Sequence, residues 1–324
     1  MAIAAILTLI LTVILVISYC TFRIAFYSPP DKHCKPDDPM KGRQYEEVAE
    51  HLQRISHVMQ KIPFEAVTIE ACDGTKLYGR YYHLADGAPL EILFHGYRSC
   101  AFRDCSGGHA LARKMGFNTL VIDQRAHGES GGRVITFGVK ERLDCKCWAE
   151  YASNRFGTDI PILLSGLSMG AATVLMASEL ELPKNVVCIV ADSPYSAPSA
   201  IIEKVCRDMH YPVALCRPFI YLGALLFGGF QLNACNAKDA VSHTKVPILL
   251  IHGEADHFVP CDMTNEIKST GASRVEAYTF PGAGHGLSYI IDPLRYERVV
   301  YEFLNSIPAL KGTISGKFIA QLEN

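Results

Sequence analysis

The chain has 324 residues, 49% of them hydrophobic and 20% charged, with 31 basic against 33 acidic side chains and a formal net charge of -2. That length holds one large α/β domain or two small ones, and the composition excludes a disordered, collagenous or coiled-coil chain. The balanced charge, with no basic run, excludes a chain built to track nucleic-acid phosphates.

In chain order, the amino terminus comes first. From Ala2 to Phe22 no side chain is charged, and Arg23 ends the run. As a helix such a stretch covers about 31 Å, enough for the hydrocarbon core of a bilayer. A cleaved signal peptide would carry a basic segment ahead of its apolar core, and here only the α-amino group precedes it. A lipoprotein cysteine at Cys20 is disfavoured by bulky Tyr19 before it. The expectation is an uncleaved single-pass anchor over residues 1–27, in contact with the membrane through residues 2–22. Arg23, Lys32, Lys35, Lys41 and Arg43 follow the span and none precedes it, so the positive-inside rule puts the large domain in the cytoplasm. The twelve cysteines agree with that side. No CxxC pair occurs and Cys188 lies in the apolar run Val186–Ala191, which reads as free thiols in a reducing compartment, with no structural zinc site.

Residues 28–60 read as a Pro- and charge-rich linker followed by a helix, with Val48, Leu52, Ile55 and Met59 along one stripe. Residues 61–194 then alternate strands and helices. Glu65–Ala71 and Lys76–His83 flank Cys72-Asp73-Gly74-Thr75 as a hairpin. Leu90–Phe94, Asn118–Asp123, Pro161–Ser165 and Val186–Ala191 are short apolar strands with helical stretches between them. About fifty residues, 195–243, interrupt the pattern and read as a lid inserted over the mouth of the sheet. Within it, Pro218–Phe230 carries no charge, is too short to span a bilayer, and offers Phe219, Leu222, Leu226 and Phe227 as candidates to line an acyl pocket or touch lipid. The other role open to them is ordinary lid packing. Residues 244–310 resume the core with Val246–Ile251 and Arg274–Phe280 and a closing helix near Leu294–Ile307, and residues 311–324 form a tail. Buried strands separated by helices predict an α/β fold: a mostly parallel sheet covered on both faces.

Three strand ends carry chemistry. Ile162–Ser165 runs into Gly166-Leu167-Ser168-Met169-Gly170, and Ala171–Leu175 opens a helix. This is the GxSxG turn, whose small residues push a serine hydroxyl out at the top of a sheet. A serine needs a base, and the base needs an acid to orient it. Ile248–Ile251 leads to His252-Gly253-Glu254-Ala255-Asp256, and Tyr278–Phe280 leads to Pro281-Gly282-Ala283-Gly284-His285-Gly286. Ser168, Asp256 and His285 follow the Ser…Asp…His order of this class. Glu254, Asp262 and Asp192 compete with Asp256 for the acid. The oxyanion of a tetrahedral intermediate needs backbone donors. Met169 N–H follows the nucleophile, and Tyr97 N–H, in Phe94-His95-Gly96-Tyr97, lies after an earlier strand. His95 itself reads as a hydrogen-bonding loop residue.

These pieces, with Asp123-Gln124-Arg125-Ala126-His127-Gly128-Glu129-Ser130, resemble the α/β-hydrolase superfamily across residues 65–307. The AHGES loop is similar to that of monoacylglycerol-lipase-like and serine-aminopeptidase-like members. There it is structural, so no catalytic role passes to Asp123 or His127. The resemblance implies an eight-stranded sheet and a serine hydrolase that uses neither metal nor cofactor. Fold alone does not set the substrate. The first expectation is hydrolysis of carboxylic esters, lipid-like or thioester acyl groups included. A serine peptidase of the aminopeptidase type is the second, and a non-catalytic membrane-tethered binding protein the third.

Overall fold

The computed structural model describes residues 1–29, 38, 42–270 and 274–323; most of the linker expected at 28–43 lies outside the described residues. All eight expected strands form: β1 (Glu65–Glu70), β2 (Lys76–Tyr82), β3 (Leu90–Phe94), β4 (Asn118–Asp123), β5 (Ile162–Leu167), β6 (Val186–Asp192), β7 (Ile248–Gly253) and β8 (Val275–Phe280). They make one sheet in the order β1-β2-β4-β3-β5-β6-β7-β8. β3 to β8 are parallel, whereas β2 runs antiparallel to β1 and β4. The sheet is therefore mixed, because the hairpin at Asp73-Gly74 returns the chain before the first helical crossover.

The helices are α1 (Ala2–Ala25), α2 (Ala49–Gln60), α3 (Ala101–Asp104), α4 (Ser106–Met115), α5 (Glu141–Phe156), α6 (Met169–Ala177), α7 (Pro198–Asp208), α8 (Val213–Leu226), α9 (Ala237–Ser242), α10 (Asp262–Thr270), α11 (Ser288–Ile291), α12 (Pro293–Ser306) and α13 (Gly316–Glu323). They cover both sheet faces, as strands buried on both sides require. On one face Trp148 of α5, the whole of α6 and residues of the 195–243 insertion such as Ile220 and Phe230 pack on the sheet. On the other, Leu111 and Met115 of α4 meet Val299 and Phe303 of α12 and Phe318 of α13. The tail is thus packed: Ile314 and Phe318 are buried and Ser315 N–H donates to Met115 O.

α1 is 24 residues with a mean hydropathy of 2.7 across its most apolar window, long and apolar enough to cross a membrane. Its side chains from Ile3 to Leu11 stand exposed. Its other end is built into the domain. Phe26 is fully buried between Phe137 and Phe230. Ile135 N–H donates to Phe26 O, Ser28 N–H donates to Arg133 O, and Tyr27 forms a bridge with Val134. α8, in the 195–243 insertion, crosses α1 closely. A Cβ on Gly223 would stand 2.4 Å from Ser18 O, Thr21 Oγ1 donates to Phe219 O (3.1 Å), and the Phe227 ring meets Tyr19 at 5.2 Å.

Candidate active site

β5 lies between β3 and β6, with Gly166 paired to both Phe94 and Ala191. The chain then turns into α6 within one residue, Ser168, at φ 56 and ψ -114. A left-handed backbone costs an L-residue about 1–2 kcal/mol, so packing has to hold it. A Cβ on Gly166 would lie 2.3 Å from the Gly170 carbonyl carbon, and one on Gly170 would lie 2.1 Å from Phe94 O. Both glycines of GxSxG are therefore required by close backbone approach, and Ser168 stands at the carboxyl edge of the sheet. Its hydroxyl makes no hydrogen bond among the described residues.

Asp256 sits in the turn after β7, buried. Its Oδ1 accepts from the N–H groups of Phe258 (2.9 Å) and Val259 (2.8 Å), and its Oδ2 accepts from His285 Nδ1 at 2.6 Å. His252 Nε2 stands 3.2 Å from the same oxygen. Burial pushes the carboxyl up, but bonds from His252, His285 and Val259 outweigh it and hold Asp256 well below the usual carboxylate range. The rivals are spent elsewhere. Glu254 accepts from Thr279 (2.6 Å), Asp192 accepts from Ser193 and Tyr296, and Asp262 lies in the first turn of α10. An ionised carboxylate on Nδ1 sets the imidazole with Nε2 as the acceptor. The histidine loop packs beside the serine turn: a Cβ on Gly286 would stand 3.1 Å from the Leu167 side chain. No hydrogen bond joins His285 to Ser168 in this structure; such contacts commonly tighten only when substrate binds.

A Cβ on Gly96 would stand 3.4 Å from Ser168 Cβ, so the His95–Ser99 loop runs beside the serine. Gly96 N–H donates to Asp104 Oδ2, Arg98 N–H to His127 Nε2, Ser99 N–H to Gly96 O, and Ser168 N–H to Asp192 O. The N–H groups of Tyr97 and Met169 donate to no acceptor among the described residues. They are the two donors expected for an oxyanion. His95 is buried and accepts from Gln124 N–H through Nε2 (3.0 Å), with Nδ1 on Gly96 O (2.8 Å); burial pushes its pKa down, so it is a neutral loop brace.

Two supports escape sequence reasoning. Gln44 Oε1 accepts from His285 N–H (3.1 Å) and Tyr45 Oη donates to His285 O (3.1 Å). Contacts spanning 240 residues leave no local signal. His252, buried against Thr264, Val259 and Asp256, stands in the strand-end motif itself, where its place next to Gly253 was the available cue. Phe219, Leu222, Leu226 and Phe227, the candidates for an acyl pocket, line neither of the two cavities beside the site. One, of about 110 Å³, is lined by apolar residues such as Leu93, Leu167, Leu287 and Ile290 and by the charged residues Glu91, Arg103, Asp104 and Asp192. The other, of about 490 Å³, lies between the end of α1 and the Arg98 and His127 loops. Among the described residues no group of three or more His, Cys, Asp or Glu is arranged to hold a metal ion.

A mixed, mostly parallel sheet of this order, with a serine in a strained turn after its fifth strand, defines an α/β-hydrolase fold. The chain belongs to the α/β-hydrolase superfamily. Residues 90–222 match the family model described as serine aminopeptidase, S33. YqkD of Bacillus subtilis is 24% identical over 229 residues, covering 70% of this chain and 75% of the relative. Human ABHD12B is 26% identical over 240 residues, 68% of this chain and 63% of the relative. Among solved structures, the Pyrococcus furiosus esterase Pf2001 is 26% identical with a TM-score of 0.61, covering 77% of this chain and 95% of that one. Mouse α/β hydrolase domain-containing protein 10, at 16% identity and a TM-score of 0.55, shares the fold. Together these support a hydrolase.

Proposed function

We propose that the chain is a membrane-anchored serine hydrolase of carboxylic esters. The observation that carries this reading is the pair of unengaged N–H groups, Tyr97 and Met169, beside a serine in a left-handed turn. In the proposed reaction His285 Nε2 takes the Ser168 proton as Oγ attacks the ester carbonyl. The oxyanion receives hydrogen bonds from Tyr97 and Met169, and Asp256 steadies the imidazolium. Collapse breaks the ester C–O bond, and the leaving alcohol takes the proton from His285. Water, deprotonated by His285, then attacks the acyl-enzyme and releases the acid and free Ser168. The likeness to an esterase favours esters. α1 supplies the anchor, and the Lys and Arg residues after it favour a cytoplasmic domain.

The name of the matching family model favours a second reading, an aminopeptidase. The test is labelling of the detergent-purified chain by a fluorophosphonate, with p-nitrophenyl esters of increasing chain length set against aminoacyl-anilides. The expected result is labelling that vanishes in Ser168→Ala and turnover of short esters. Turnover confined to anilides would establish the peptidase. An unlabelled wild-type chain would leave a binding protein.

A further inference from the structure

We propose that the inner end of α1 is a working part of the site, and that Tyr97 and Arg98 are positioning residues tying the oxyanion loop to it. This rests on the hydrolase reading above, in which Tyr97 N–H binds the oxyanion.

The last carbonyls of a helix have no partner inside it. In α1 and the turn after it they are taken by the loop beside Ser168. Tyr97 Oη donates to Ala25 O at 2.8 Å, and Arg98 Nη2 donates to Ile24 O at 2.8 Å and Tyr27 O at 3.1 Å. Arg98 makes no ion pair among the described residues, so carbonyl capping is the work of its guanidinium. The Tyr97 ring stacks on Phe137 at 4.9 Å, and Phe137 also meets Phe26. From the other side His127 Nε2 accepts the Arg98 N–H at 2.9 Å. Between these grips Arg98 is bent to φ 51, a conformation that a non-glycine residue keeps only when its surroundings enforce it. The bend leaves Tyr97 N–H unengaged while its neighbours' N–H groups are all used.

The same two residues thus face both ways: backbone toward the reacting centre, side chains toward the helix. A donor that drifts from the oxyanion position loses its effect on the transition state, where it counts most. Substrate binding, which does not depend on that donor, is little altered. α1 therefore sets turnover as well as location.

The experiment uses the full chain in detergent with Tyr97→Phe, Arg98→Lys and Arg98→Ala, assayed on a p-nitrophenyl ester, with Ser168→Ala as control. Tyr97→Phe keeps the ring on Phe137 and removes only the hydroxyl. The expected result is a kcat about tenfold lower in Tyr97→Phe and lower still in Arg98→Ala, KM within twofold of wild type, and partial recovery in Arg98→Lys. Fluorophosphonate labelling rates are expected to fall in step, with melting temperatures little changed. An unchanged kcat in both Tyr97→Phe and Arg98→Ala would overturn the proposal while leaving the hydrolase reading intact. So would a kcat lost only together with the fold, or a matching rise in KM. A wild-type chain that neither turns over nor labels would instead remove the reading on which it rests.

Discussion

Ser168 and the loops that face it are supported in contrasting ways. The serine turn is held by backbone against backbone: Gly170 against Phe94 O, Gly166 against Gly170. Everything needed lies within a few residues and the two neighbouring strands, β3 and β6. The Tyr97 and His285 loops are held by side chains and carbonyls from far along the chain: Ala25 and Ile24 for one, Gln44 and Tyr45 for the other. A backbone wedge is rigid and intolerant. A side-chain strut can be lengthened, shortened or lost one bond at a time. The difference teaches that the position of Ser168 follows from the fold, whereas the positions of the loops that face it depend on the first sixty residues.

Four changes probe that contrast, from the largest effect down. Asp256→Asn puts an amide N–H opposite His285 Nδ1 and so favours the wrong tautomer. It is expected to lower kcat by about 10⁴-fold, measured by ester turnover with folding checked by circular dichroism. Gly170→Ala drives a methyl into Phe94 O and is expected to cost more than about 3 kcal/mol of stability, read from chemical denaturation. An unaffected protein would mean that the wedge is soft. Glu91 is buried, and burial pushes it up to about 7. Between its ordinary value near 4.5 and 7 the folded chain keeps a proton that the unfolded chain releases. Stability from this group is therefore present at low pH, lost as pH rises through that window, and not regained above it. Glu91→Gln is expected to flatten the slope and gain about 3 kcal/mol at pH 8, seen in denaturation curves at pH 5 and 8. Tyr45→Phe removes one strut and is expected to cost about 1 kcal/mol, seen as a small fall in melting temperature.

The contrast also explains what could be read in advance. Eight strands and the serine turn were legible because apolar runs, small residues and chain order are local signals. Asp256 and His285 stood at strand ends, and their mutual bond is in place. Gln44 and Tyr45 were not legible, because a polar residue beside a Pro- and charge-rich stretch looks like surface until the fold brings His285 to it. The uncharged stretch around Phe219 and Phe227 suggested an acyl pocket or lipid. In the structure α8 lays part of that stretch against Tyr19 and Phe22 of α1. Two apolar helices packing on each other look the same in sequence as two that wait for a ligand.

One feature of α1 reaches beyond its chemistry. Phe26, fully buried one residue past the helix end, leaves no slack between shaft and body. A domain joined in this way rides on a mast and not on a leash. Under the anchoring proposed above, height and tilt over the bilayer would be set together, and a compound bound for the Ser168 rim would have to arrive at one altitude to be met.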